Sequence, residues 1–196
     1  MTDDDSGTGD SRAPRRRSRR RGDGEAPDRG EAVSTGPSAW DAALRLLGVR
    51  ARSAAEIRER LARRGFEEDT VEDVLRRLTE SGLIDDADFA HQWVQSRHHH
   101  SGRGRLALRR ELRTKGVEAH TIEEALAAVE PEDERAQAAA LAAKKLASSS
   151  LDLTDRDDRA KAYRRLSGAL GRRGFPPDVI SSVVSETLRE AAASAS

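Results

Sequence analysis

The sequence predicts an all-α fold in which three tandem three-helix repeats form an elongated curved array, preceded by a disordered tail. Three observations support this prediction. One pattern of apolar residues around a glycine occurs three times, apolar residues recur at helical spacing, and the helix-favouring residues Ala, Leu, Arg and Glu are abundant. Only 3% of the 196 residues are aromatic and 36% are charged. That composition suits several small cores better than one large core.

The repeated pattern emerges when residues 57–78 are aligned without a gap with residues 108–129, at an offset of 51. A further shift of 58 residues aligns a third copy. Gapless repetition of this kind indicates a repeat protein, in which each unit packs against its neighbour. The aligned positions are Ile57/Leu108/Leu166, Leu61/Leu112/Leu170, Gly65/Gly116/Gly174, Phe66/Val117/Phe175, Val71/Ile122/Ile180, Val74/Ala125/Val183 and Leu75/Leu126/Val184, with Leu78/Val129 in the first two copies.

The alignment and the local composition divide the chain into four segments. Residues 1–38 are rich in Gly, Ser, Asp and Arg and lack apolar periodicity, which predicts a disordered tail. The three repeats are expected at 39–84, 85–130 and 131–190. The run Arg15–Arg21 in the tail has two interpretations: a contact with nucleic acid or an acidic protein, or a solvated segment balanced by nearby aspartates.

The first helix of the first repeat is expected over residues 39–48. Trp40, Leu44 and Leu47 recur at helical spacing and should form its buried face. Gly48 is expected to end this helix, because glycine is common just past a helix C-terminus.

The other helices of the first two repeats have recognisable end signals. Ser53-Ala54-Ala55-Glu56 has the form of a capping box, and so does Thr121-Ile122-Glu123-Glu124. Asp85 and Asp86 are good N-cap residues for the first helix of the second repeat. Gly65 should end the second helix of the first repeat in a left-handed conformation.

Several chemical functions are excluded or disfavoured by the residue inventory. The chain has no cysteine, which excludes thiol catalysis and cysteine-ligated metals. It lacks a nucleophile-elbow sequence and a phosphate-binding Gly-rich loop that ends in Lys-Ser/Thr. His98, His99 and His100 are expected in a loop and are not expected to converge on one metal. We therefore predict a non-enzymatic protein without a cofactor or metal.

The location of the protein is also predicted from apolar patterning. No apolar run approaches the roughly 20 residues that a membrane-spanning helix needs. The N-terminus has no apolar signal segment. We expect a cytoplasmic monomer that does not associate with membranes.

A basic strip in the second repeat is the candidate binding site. Between Arg97 and Lys115 there are seven basic residues and one acid, Glu111, although the chain as a whole has zero formal charge. Like charges four residues apart share a helix face and are mildly destabilising, which favours a binding role over a merely solvated face. The candidate partner-binding residues are Arg97, Arg103, Arg105, Arg109, Arg113 and Lys115.

The second repeat also contains motifs that resemble those of a known family. They are Gly82-Leu83-Ile84-Asp85-Asp86-Ala87-Asp88-Phe89-Ala90, then Trp93-Val94 and Arg97, Gly102 to Arg105, Leu108-Arg109-Arg110-Glu111-Leu112 and Lys115-Gly116-Val117. Together with the tandem repeats, these motifs resemble the bacterial RecX regulatory proteins over residues 39–190. The N-terminal extension lies outside this pattern, and its presence is expected of the actinobacterial type; the third repeat matches the pattern only loosely.

The resemblance implies a negative regulator of the RecA recombinase. Such a protein binds the RecA nucleoprotein filament and inhibits its ATPase, strand-exchange and co-protease activities. The implied partner is the RecA filament, and contact with the single-stranded DNA inside the filament stays open. The alternative from the residues alone is a direct DNA-binding module, because a three-helix unit with a basic second helix can imitate a helix-turn-helix reader.

Overall fold

The computed structural model describes residues 37–194, and these residues form nine α-helices and no strand. The all-α prediction and the three three-helix repeats are confirmed. The predicted disordered tail, apart from residues 37 and 38, lies outside the described residues. The helices are α1 (Ala39–Leu47), α2 (Ala54–Ala62), α3 (Glu68–Glu80), α4 (Asp86–Ser101), α5 (Arg105–Thr114), α6 (Ala119–Ala127), α7 (Pro131–Ala147), α8 (Arg156–Arg173) and α9 (Pro177–Ser194).

Each group of three helices buries a core of its own, α1–α3 in the first repeat, α4–α6 in the second and α7–α9 in the third. Nearly every apolar residue of the sequence alignment is buried in one of these cores. The exceptions are Phe66 and Ile180, which are half-buried and pack against the edges of their cores. The aligned pattern therefore marks the inward-facing positions. No helix within residues 37–194 is long and apolar enough to cross a membrane.

The buried face of α1 differs from the predicted one. Leu44 is 37% exposed, whereas Trp40 and Leu47 are half-buried at the edge of the core. The prediction was wrong because it weighted the largest apolar side chains, while small side chains allow α1 to approach its neighbours closely. The buried residues of α1 are Ala39, Ala42, Ala43 and Leu46.

Only part of the predicted capping holds. Ser53 caps α2 by accepting a hydrogen bond from the Glu56 N–H at 3.2 Å. The second predicted capping box is wrong: α6 begins at Ala119, and its N-cap residue Glu118 makes no side-chain capping bond. The helix starts this early because the turn at Gly116, with φ +72°, leads almost directly into it.

The three consecutive histidines lie in a helix, and the prediction that they lie in a loop was wrong. Helix α4 continues to Ser101 and ends at Gly102, which adopts a left-handed conformation with φ +55°. His98 is buried within the last turns of α4, and its Nδ1 lies 2.9 Å from the carbonyl oxygen of Arg103. Because a carbonyl only accepts, Nδ1 carries the proton in this contact.

Neighbouring repeats meet at joints built in the same way. In the first joint, the N-terminus of α2 packs against the turn between α5 and α6. The Ser53 hydroxyl donates to the Lys115 carbonyl at 2.6 Å, and the Ala54 N–H donates to Asp86 Oδ1 at 2.8 Å. The first N–H groups of a helix have no partner inside it, so Asp86 of the second repeat stabilises the start of a helix in the first.

The second joint repeats this arrangement between the second and third repeats. The N-terminus of α5 packs against the turn between α8 and α9, where the Gly104 N–H donates to the Arg173 carbonyl at 3.0 Å. The Leu106 N–H donates to the Gly174 carbonyl at 3.0 Å. The Arg105 N–H donates to Glu134 Oε1 at 2.8 Å, so an acid from the next repeat again satisfies the start of a helix.

The contribution of this cross-repeat capping can be measured at Asp86. Replacing Asp86 with Ala should lower the free energy of unfolding by about 1 kcal/mol, the usual cost of losing a helix cap. Urea denaturation followed by circular dichroism would measure the change. Asp88→Ala is the matched control, because Asp88 is exposed on the same helix and its side chain accepts a hydrogen bond only from Gln92 of that helix. Equal losses in the two variants would contradict a capping role for Asp86.

Candidate partner-binding surface

The predicted basic strip is carried mainly by α5, the second helix of the second repeat. Ala107, Leu108 and Leu112 anchor α5 through its buried face. The charged side chains emerge on different sides of the helix. Three of the six candidate residues form what we call the outer strip (Arg105, Arg109 and Arg113). Two others belong to the Glu111 cluster (Arg97 and Arg103 with Trp93 and Glu111), and Lys115 stands apart from both.

The outer strip lies beside α6, with its three arginines spaced four residues apart. Arg109 forms a salt bridge with Glu123 of α6 at 2.6 Å. The hydrogen bond from Arg109 lowers the pKa of the Glu123 carboxyl, and the charges of Arg105 and Arg113 lower it further. A second carboxylate, that of Glu134, accepts a hydrogen bond from the Arg105 backbone N–H and also acts on Arg109. The three guanidinium groups outnumber these two acids, so the strip keeps an excess of positive charge.

The Glu111 cluster is a closed network on another side of α5. Glu111 Oε2 accepts hydrogen bonds from the Trp93 indole at 2.9 Å and from Arg97 at 3.1 Å. Its Oε1 lies 3.2 Å from the Arg103 guanidinium. Burial raises the pKa of the Glu111 carboxyl, but the hydrogen bonds from Arg97 and Trp93, together with the charges of Arg97 and Arg103, outweigh burial and lower it. The Glu111 carboxylate therefore holds Arg97 and Arg103 in place.

Lys115 belongs to the first joint and is largely buried. Its ammonium group lies 3.0 Å from the Oε1 atom of Glu56, which belongs to α2. The same group lies 4.0 Å from the centre of the Trp93 ring, which is a favourable cation–π geometry. Lys115 thus ties the first repeat to the second.

The salt bridge of Arg109 is itself a repeated feature. In the first repeat, Arg58 pairs with Glu72 at 2.6 Å, and these residues stand 51 positions before Arg109 and Glu123. Glu123 was not predicted as a partner of Arg109, although both residues of the pair lie in the aligned segments of the first two repeats. The Arg–Glu pair therefore occurs in both the first and the second repeat. Arg105 and Arg113 are the cations of the outer strip that are not part of this repeated pair.

Arg105 and Arg113 have no counterpart in the other repeats. The aligned positions of the first repeat hold Ala54 and Ala62, and those of the third hold Tyr163 and Gly171. Neither arginine side chain forms a salt bridge with another residue of the described part of the chain. The repeat scaffold does not require these two charges.

Fold and surface together define the class of this protein: a tandem array of three-helix repeats with a basic helical face. Family models of RecX match in three places: the first three-helix domain at residues 39–78, the second at 85–126 and the third at 132–184. The chain belongs to the RecX family of regulatory proteins, which confirms the resemblance seen in the sequence.

Curated relatives agree with this assignment. The chain is 50% identical over 145 residues to "Regulatory protein RecX" of Mycolicibacterium smegmatis, which covers 74% of this chain and 77% of the relative. It is 49% identical over 164 residues to "Regulatory protein RecX" of Mycobacteroides abscessus, which covers 84% of this chain and 78% of the relative.

Two solved structures share the fold. RecX from Lactobacillus salivarius matches with a TM-score of 0.64 at 23% identity, covering 76% of this chain and 94% of the other. The crystal structure of a second regulatory protein RecX matches with a TM-score of 0.65 at 24% identity, covering 74% of this chain and 70% of the other. At this level of identity the similarity concerns the fold alone.

Proposed function

We propose that this protein is a negative regulator of the RecA recombinase. It binds the RecA nucleoprotein filament and thereby inhibits the ATPase, strand-exchange and co-protease activities of RecA. It acts by protein–protein contact and without catalysis. Membership of a family of regulatory proteins supports a regulatory role, and the RecA target follows from the family resemblance.

The observation that carries the proposed binding site is the pair Arg105 and Arg113. Two cations that the repeat scaffold does not require, on a face where the arginines outnumber the nearby acids Glu123 and Glu134, favour an acidic partner surface. Charged groups at such a surface speed association and select the partner. Arg97, Arg103 and Lys115 support the site indirectly, because their salt bridges hold α5 and the first joint in position.

Removing the two distinctive charges should weaken inhibition of RecA. The variant Arg105→Ala with Arg113→Ala carries at these positions the alanines of the first repeat, so the helix should remain intact. We expect about a tenfold higher concentration for half-inhibition of the RecA ATPase, since two rim charges contribute on the order of 1.4 kcal/mol. The measurement is a titration of the full chain into RecA filaments on single-stranded DNA.

The matched control is Arg60→Ala with Arg64→Ala, which removes the same charge from exposed positions at the end of the second helix of the first repeat. This control should inhibit RecA as the wild type does. Full inhibition by a folded Arg105/Arg113 variant would remove the outer strip from the mechanism. Tight binding of the wild type to naked DNA at physiological salt, without any effect on RecA ATPase, would instead identify a direct DNA-binding module.

A further inference from the structure

A basic slot lies between the second and third repeats, away from the outer strip. It encloses about 340 Å³ and is lined by four cations, Arg103, Lys145, Arg172 and Arg173, with Leu141 and Ala169 forming its apolar wall. The segment after α4 supplies Arg103, α7 supplies Lys145, and the last turn of α8 supplies the other two arginines. No acidic side chain lines the slot.

Two of the four cations are held in place by the scaffold. Arg103 is paired with Glu111, which it shares with Arg97. Arg173 donates a hydrogen bond to the Ser101 carbonyl oxygen at the end of α4. These two guanidinium groups are half-buried and form the rigid side of the slot.

The other two cations are exposed and uncompensated. Neither Lys145 nor Arg172 forms a salt bridge or a side-chain hydrogen bond within residues 37–194. Like charges repel, so two uncompensated cations in one slot favour the approach of an anion. The slot is thus better suited to a bound anion than to an empty state.

The lining of the slot discriminates between kinds of anionic partner. Its polar side chains are all hydrogen-bond donors, and it offers no acceptor side chain. A peptide would bring backbone N–H donors that find no acceptor in this lining, whereas a phosphodiester backbone presents acceptors only. The slot also lacks the aromatic anchors that dominate protein–protein contacts.

We propose that this slot binds the phosphate groups of single-stranded nucleic acid. Guanidinium groups bind phosphate oxygens in a bidentate manner, and each arginine has five N–H donors, so Arg103 and Arg173 keep donors beyond those used on Glu111 and Ser101. The apolar wall of Leu141 and Ala169 can pack against a sugar. A flexible single strand can enter a recessed slot, whereas a duplex presents its phosphates on a wide convex surface. This assignment goes beyond the proposed regulation of RecA and can be tested without RecA.

The test measures how salt weakens binding of a fluorescent oligo-thymidine by the full chain, from 50 to 200 mM salt. Each phosphate contact on single-stranded DNA contributes about 0.7 to the slope of log affinity against log salt concentration. The variant Lys145→Ala with Arg172→Ala should therefore have a slope smaller by about 1.4. Across this fourfold range of salt, the wild type should lose about sevenfold more affinity than the variant.

The control is Lys144→Ala with Arg159→Ala, which removes the same charge from exposed positions on α7 and α8 that do not line the slot. It should keep the wild-type slope. Arg15–Arg21 are present in all three proteins, so any contribution of that run is common to them. Thermal unfolding of the variants should match the wild type, because exposed substitutions cost little.

Three results would overturn the assignment. They are an unchanged slope in the Lys145/Arg172 variant, the same loss of slope in the control, and no binding of oligo-thymidine by the wild type at 50 mM salt. The first of these results, combined with lost RecA inhibition by the same variant, would point to an acidic protein in the slot. If only the Lys145/Arg172 variant has a smaller slope and the wild-type protein leaves the RecA ATPase unchanged, the results would support the slot and contradict the proposed RecA function.

Discussion

Gly174→Ala should lower the free energy of unfolding by about 3 kcal/mol, from two costs that add. Gly174 has φ +81°, a left-handed conformation that costs other residues about 1–2 kcal/mol. A Cβ here would also overlap the backbone nitrogen and the Cβ of Ala107 and lie 2.8 Å from its Cα. Because the obstacle includes backbone at the start of α5, the second joint must open, and such overpacking costs about 1–3 kcal/mol.

The matched control for this prediction is Gly65→Ala. Gly65 is the aligned glycine of the first repeat and has nearly the same φ, +85°, but no described atom lies within 4 Å of the added Cβ. Its substitution should therefore cost only the conformational part, about 1–2 kcal/mol. Urea denaturation of both variants separates the free-energy cost of the left-handed conformation from the cost of the overlap at the second joint. Equal losses would show that the second joint is not tightly packed.

Gly116 provides an independent check at the first joint. A Cβ added to Gly116 would overlap the Cβ of Ala55, a single side-chain atom rather than backbone. The cost of Gly116→Ala should therefore be relieved in part by Ala55→Gly, measured as a double-mutant cycle. Strict additivity of the two changes would contradict the contact.

The second large effect is a loss of stability in acid, caused by Glu56. Burial raises the pKa of its carboxyl, but hydrogen bonds from Arg50 and Lys115, together with the charges of these two residues, outweigh burial and bring the pKa to about 2, from an ordinary 4.5. The unfolded chain therefore takes up this proton more readily than the folded chain. The stabilisation is complete above about pH 5 and is lost as the pH falls towards 2.

The size of this effect follows from the pKa difference. A difference of roughly 2.5 units, at 1.36 kcal/mol per unit, corresponds to about 3 kcal/mol. The Glu56 side chain is 17% exposed and that of Lys115 15%, so solvent screens this salt bridge only modestly, whereas Arg50 is 42% exposed and its pair is screened more. We expect the unfolding free energies of wild type and Glu56→Gln to differ by about 3 kcal/mol less at pH 2 than at pH 5.

Denaturation curves at several pH values measure this difference, and subtracting the variant removes the contribution of the other acids. Glu59→Gln is the control, because Glu59 lies on the same helix and pairs with Arg63 only at the exposed surface. A wild-type to Glu56→Gln difference that is constant from pH 5 to pH 2 would refute the role of Glu56 at the first joint.

Local patterns in the chain were sufficient to predict the repeats. The 51- and 58-residue offsets identified the three-helix units, and the residues aligned by them are nearly all buried. Gly65, Gly116 and Gly174 were recognisable as turn glycines, and all three have positive φ. These features depend on neighbours within one or two helical turns, so they can be read from a short window of sequence.

The functional surface could be predicted only in part. The sequence showed a cluster of basic residues, but it did not show that these residues lie on different sides of α5. The partners of those residues come from other elements: Glu123 holds Arg109 from α6, and Glu56 holds Lys115 from 59 positions away. The basic slot was missed altogether, because Arg103 and Lys145 meet only when the third repeat packs against the second.

The difference between the two kinds of feature has one physical origin. Helix ends, turn glycines and apolar stripes are selected by backbone conformation and local burial, which each short segment specifies for itself. The buried face of α1, the position of His98 and the pairing of the charges depend on which surfaces the neighbouring helices and repeats present. Packing and Coulomb energies between segments distant in sequence decide those contacts, so they become visible only once the repeats are assembled.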